Sequence, residues 1–191
     1  MAQLISNLFN IATWLPIISF SLLKKAQLTS GQFKKIIPAI IIFQLIIPLG
    51  YILFLYFKKE ITDLDMTKRE ERIKPLIVST ISALISLVII YLSGNKLIIT
   101  FYFIVFILIL VNTLITLFWK ISFHMAANTA AAILLNFIFD WKLPFLYLLI
   151  PLIFWSRLKL KKHTVAQLLA GFLVNAGIIF FLLRFFGYLG F

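Results

Sequence analysis

The chain has 191 residues, 63% of them hydrophobic, no cysteine and a formal net charge of +12. An apolar share that far above the rough half of a soluble domain points to the bilayer, and without cysteine there is neither a disulfide framework nor a thiolate metal site. The basic residues sit between apolar runs rather than interleaved with stacking aromatics, which suits headgroup anchoring or an anionic ligand and argues against nucleic acid.

A membrane span needs about 20 mostly apolar residues, and a short one about 17. Apolar runs fall at 4–23, 36–57, 75–92, 97–118, 121–139, 142–155 and 164–187. The first lacks the basic n-region and small-residue cleavage site of a signal peptide. Asn7, Asn10, Trp14 and Pro16 interrupt it, so it is expected to be a retained segment, kinked or partly inserted. The sixth run is short. Residues 1–191 show no internal repeat and no linker. The expectation is an all-α, polytopic transmembrane helical bundle of six to seven spanning segments in a single domain, with the lower count if the first segment does not cross.

Crossing order makes a prediction about sidedness. If every run crosses, the interruptions 58–74, 119–120 and 156–163 share one face, here called X. Those at 24–35, 93–96 and 140–142 share the other, Y. Three distant stretches of chain are thus predicted to converge on X, where a site can be assembled.

Both histidines, His124 and His163, fall on X, each at the start of a predicted span. A histidine at a membrane end often serves as an interfacial anchor, but two on one face beside basic and hydroxyl residues point to function, because ionisable groups near membrane depth are costly. At helical spacing His163 shares a face with Gln167, and His124 with Asn128. Loop 58–74 carries Lys68, Arg69, Arg72 and Lys74 together with five of the six acids, a charge run of which roughly half is expected to form solvated internal ion pairs. Two histidines without a carboxylate at ligand spacing fall short of a metal site. The strand–turn–helix of a serine-hydrolase elbow is missing as well. What remains is a basic pocket with two imidazoles and no cofactor, which suits phosphoryl transfer. Arg and Lys neutralise phosphate oxygens, one imidazole attacks phosphorus, and the other moves protons.

The three X-face stretches resemble the motifs of the type-2 phosphatidic acid phosphatase superfamily of membrane lipid phosphatases. Ser156-Arg157, five residues, then His163 matches its third motif, with Gln167 at the position of the family Asp. Ser122-Phe123-His124 matches the second at Ser and His, with Ile121 and Phe123 in place of Pro and Gly. Lys74-Pro75 stands where the first has Arg-Pro, and the family Lys position falls on Thr67, beside Lys68. The resemblance covers about residues 67–187. It implies His163 as nucleophile and His124 as general acid, with Gln167 orienting the nucleophile. Arg157, Ser122 and Lys74, with Lys68 or Arg72, would hold the phosphate. It also implies a membrane lipid phosphate as substrate (phosphatidate, phosphatidylglycerophosphate, a prenyl diphosphate or a lipid A type), hydrolysed without metal through a phosphohistidine.

Two departures have consequences. Phe123 cannot adopt glycine-only backbone angles, and a Gln carbonyl accepts an imidazole N–H but supplies no charge to the cationic intermediate. A catalytically impaired lipid-phosphate binder or transporter of the same fold is therefore the alternative. Eleven of the eighteen basic residues fall on X and seven on Y. Setting aside Lys68, Arg72, Lys74 and Arg157 as phosphate ligands leaves seven on each, so the positive-inside rule assigns no orientation. The resemblance leans to a cell-membrane protein with its site on the extracytoplasmic face.

Overall fold

The computed structural model describes residues 1–9 and 11–190, with backbone only for Asn7, Ile11 and Ala12. The expected interruption at Asn10 lies outside the described residues. Among these residues every regular element is helical: α1 Ala2–Leu8, α2 Ile11–Lys25, α3 Ser30–Ala39, a π segment Ile40–Ile46, α4 Ile47–Phe57, α5 Arg69–Tyr91, α6 Lys96–Phe118, α7 Phe123–Ile138, a 3-10 turn Pro144–Leu148, α8 Leu149–Lys159 and α9 Val165–Phe185. Among the described residues four helices are long and apolar enough to cross a membrane: Ser30–Phe57 (α3 through α4), α5, α6 and α9. By length alone the expected six to seven is not reached, because α2, α7 and α8 have 15, 16 and 11 residues.

Contacts gather the chain into two compact units, Met1–Lys25 with Ile121–Phe191, and Ala26–Lys120, where the sequence suggests one domain. In the second unit, Ser30–Phe57 runs antiparallel to α5. Gln32 Nε2 donates to Ser93 O at 3.2 Å, and further along Gln44 Nε2 donates to Ser86 Oγ at 3.2 Å. The π segment lies between Pro38 and Pro48. Pro48 has no N–H to return to the carbonyls one turn back, and the Ser82 hydroxyl donates to one of them, Phe43 O. Ser86 likewise donates to Ala39 O at 3.2 Å. Such repair keeps an irregular helix tolerable in an apolar setting. A turn through Gly94 (φ +72°) reverses the chain into α6, which returns antiparallel to α5. Thr80 and Thr113 hydroxyls meet at 2.9 Å, and Arg69 Nη1 donates to Leu117 O at the C-terminal end of α6.

In the first unit α2, α7 and α9 run parallel and α8 opposes them. Trp14 Nε1 donates to Asn128 Oδ1 at 2.9 Å early in α2 and α7, while Lys25 reaches Ile138 O and Asp140 at 2.6 Å at their far ends. Ser122 N donates to Gln167 O at 3.3 Å where α7 and α9 begin, and Trp141 stacks on Phe180 further along. The break after α1 is closed by Asn128, whose amide donates to Phe9 O at 2.8 Å. Met125, Ile153 and Leu168 form a core between α7, α8 and α9, onto which Ile5 and Phe9 pack.

Candidate functional site

The starts of α7 and α9, the end of α8 and helix α1 meet at one end of the first unit. Three local devices build this end. Ser122 is the N-cap of α7, with its buried hydroxyl accepting from Met125 N at 3.4 Å. Gly171 lets α9 lie against that cap, since a Cβ there would sit 2.8 Å from Ser122 O and 2.9 Å from Met125 Cβ. The third device closes α8. Lys162 N–H reaches Arg157 O at 3.1 Å, Lys161 N–H reaches Leu158 O at 2.9 Å, and Lys161 adopts φ +53°. This is a Schellman closure, and it folds the chain back so that His163 returns to Arg157.

Arg157 is 1% exposed and His163 is 7% exposed. The guanidinium donates from Nε to His163 Nδ1 at 3.5 Å, a long contact, and from Nη1 to Ser6 Oγ at 2.5 Å. Neither acceptor is negative, and a guanidinium stays charged in proteins. The first unit holds eight basic side chains and one acidic one, Asp140. That acid lies at the far end of α7, about 24 Å away at 1.5 Å per residue, and is hydrogen-bonded to Lys25 at 2.6 Å. The hydrogen bond from Lys25, then its charge, holds the Asp140 carboxyl below the usual aspartate range. Asp140 is therefore committed to Lys25 at the far end of the unit.

An Nδ1 that accepts from Arg157 carries a lone pair, which puts the proton of a neutral imidazole on Nε2. Gln167 has a different role from the one implied by the resemblance. Its Oε1 accepts Thr164 N at 3.2 Å while Gln167 N donates to Thr164 Oγ1 at 3.3 Å. The pair is a capping box at the start of α9, and the carbonyl that was to receive the imidazole N–H is engaged there. The spacing Thr164-x-x-Gln167 is the sequence pattern of such a box, so this role was readable. His124 is half-buried in the first turn of α7, with its carbonyl accepting from Asn128 Nδ2 at 2.8 Å. Ser156 Oγ donates to Ala2 O at 2.8 Å. Ser6 carries no motif and goes unnoticed in the sequence; its one signal is a hydroxyl in an apolar run.

Lys68, Arg72 and Lys74 belong to the second unit, where local partners hold them. Lys74 pairs with Glu60 at 2.8 Å, and Lys68 lies 3.8 Å from Glu71. Buried Arg72 donates from Nε to Met66 O at 2.6 Å. Lys74 shares a cavity of about 170 Å³ with Glu60, Glu70 and Glu71, an acidic lining unsuited to phosphate. The hydrogen bond from Lys74, then its charge, lowers the Glu60 carboxyl from its usual range. Among the described residues no cluster of three or more His, Cys, Asp or Glu could hold a metal ion.

No family model, curated protein or solved structure matches this chain. Fold and site together define a helical protein with membrane-length spans and a buried cationic centre at one end of its first unit.

Proposed function

We propose that the first unit binds the phosphate of a membrane lipid at Arg157 and hydrolyses it, as a monoester or diphosphate, without a metal. The observation that carries this reading is a buried guanidinium beside an imidazole, Arg157 and His163. A phosphate is a group that Arg holds bidentately and that an imidazole can attack. His163 is the nucleophile of this reading and His124 the proton carrier. In the first step a ring nitrogen of His163 bonds to phosphorus, the P–O bond to the lipid breaks, and the leaving oxygen takes a proton from His124. In the second step His124 accepts a proton from water as the water attacks phosphorus, the N–P bond breaks, and inorganic phosphate leaves. Purified protein in EDTA is expected to release phosphate from phosphatidate or prenyl diphosphate, and His163→Ala to abolish the release. Equal release by that variant would sink the mechanism.

The alternative is a lipid-phosphate binder or transporter, and one observation favours it. Gln167 Oε1 accepts Thr164 N in the α9 cap, and a neutral amide brings no charge to steady an imidazolium. Phosphate binding without turnover would select this reading.

The proposal includes seven crossings, adding α2, α7 and Pro144–Lys159 to the four long helices. At 1.5 Å per residue, or 2.0 Å in a 3-10 turn, these reach about 22, 24 and 27 Å, against a hydrocarbon core of about 30 Å that thins around short spans. Direction supports the count. Crossings one, five and seven must be parallel and six opposed, as α2, α7, α9 and α8 are within their unit.

A further inference from the structure

We infer that the C-terminal end of α9 holds one anionic membrane lipid, its headgroup on Arg184 and its hydrocarbon in the groove beside it. The groove has a volume of about 820 Å³ and is lined by Phe180, Phe181, Arg184, Phe185, Leu189 and Gly190, within the range of about 300–1,000 Å³ that ligand sites occupy. A helix stop builds it. Gly187 adopts φ +77°, Tyr188 N–H reaches Leu183 O at 2.8 Å and Gly187 N–H reaches Arg184 O at 2.9 Å, a Schellman closure. The chain thereby returns along α9, where Leu189 O accepts from Arg184 Nη1 at 3.3 Å. Tyr188 sets its ring edge-on to Phe137 of α7, with centroids 5.3 Å apart, and Phe181 stacks on Phe185 at 6.3 Å.

The occupant follows from where the charge and the phenyl rings lie. α9 is long and apolar enough to cross a membrane, and Arg184 stands in its last turn, the depth at which a basic side chain reaches headgroups. Phe180 and Phe181 share the face of Arg184 at helical spacing, one turn deeper toward the apolar middle of the helix. A ligand that meets both must be anionic at one end and hydrocarbon at the other. Arg184 is exposed and permanently charged, and a guanidinium holds a phosphate bidentately. This end of the unit also carries Lys24, Lys25 and Lys142 against one acid, Asp140, which Lys25 holds, so the local field favours a net-negative lipid. The site lies at the opposite end of α9 from the Arg157–His163 centre and does not depend on the function proposed for that centre.

The test uses the full chain reconstituted in mixed phosphatidylglycerol and phosphatidylcholine vesicles, with bromine on the acyl chains of one lipid or the other. Trp141 stacks on Phe180 with centroids 6.2 Å apart, so bromine in the groove quenches its fluorescence. The Trp141 share is the difference from Trp141→Phe, which keeps a stacking ring. Phosphatidylglycerol is expected to quench that share with about 5-fold higher apparent affinity than phosphatidylcholine, the scale of one basic residue's attraction for anionic lipid. Arg184→Gln should bring the ratio within about 2-fold, with Arg184→Met carrying the same expectation if that variant does not fold. Arg184→Lys and Lys24→Gln, the latter an exposed cation at the same end but outside the groove, should retain it. No preference in the wild type, as when a second copy of the chain fills the groove, overturns the inference. Equal losses in Arg184→Gln and Lys24→Gln, the mark of diffuse charge, overturn it as well, and either result leaves the Arg157–His163 centre standing.

Discussion

Buried Arg157 donates to a serine oxygen and a histidine nitrogen, and hydrogen bonds of this kind offset part of the cost of taking a guanidinium out of water. The same chemistry at the other end of the unit shows the contrast. There Lys25 has both Asp140 and Ile138 O, so charge and helix end are satisfied together. Because the Asp140 carboxyl is held below its usual range by Lys25, the pair contributes stability above the ordinary aspartate pKa and loses it as pH falls through the lowered value. Acid titration of unfolding from about pH 5 to about pH 2 should show this as a steeper loss in wild type than in Asp140→Asn. Matching slopes would remove the pair from the account. Both residues are partly exposed, so the effect is small.

At the scale of elements, packing of α9 onto α7 depends on Gly171. A methyl group there meets a backbone carbonyl at 2.8 Å, which cannot rotate away as a flexible side chain would. Gly171→Ala should destabilise the first unit by about 1–3 kcal/mol, as overpacking does, and lower the melting temperature in detergent; an unchanged transition would show that the helices separate at little cost. The apolar runs foretold most helices, and their errors have a common cause. Hydropathy detects lipid-facing residues, so the runs beginning at 36 and 75 miss the polar first turns that structure adds at Ser30 and Arg69. Those turns are helical because of caps and dipoles: Thr29 and Gln32 form a capping box, and Glu70 and Glu71 sit at the N-terminus of α5. The π segment had no signal beyond two prolines. Ser6 was invisible because its partner is 151 residues away, and contacts of that range leave no local pattern. His163 and Arg157 were legible as a pair because one turn joins them.

At the scale of the whole molecule, the seven crossings we propose would put loops 58–74 and 156–163 on one face and 93–96 and 140–142 on the other. The chain has no native cysteine, so single substitutions can be labelled with an impermeant thiol reagent without background. Asp65→Cys and Lys161→Cys should react from one side of sealed vesicles, and Ser93→Cys and Lys142→Cys from the other. Reaction of Asp65→Cys and Lys161→Cys from opposite sides would remove the seven-crossing reading. A basic protein also attracts phosphate diffusely, and a built centre must be told from that background. The direct measurement is phosphate affinity in EDTA for the wild type, Arg157→Met and Lys159→Met. Met is close in length and removes a buried charge, a change that folded proteins tolerate, whereas Lys159 is an exposed cation two residues along. The account predicts at least about 100-fold weaker binding for Arg157→Met, the loss of a bidentate charged contact, and less than about 3-fold for Lys159→Met. Equal losses in the two variants, or wild-type affinity in Arg157→Met, would contradict it.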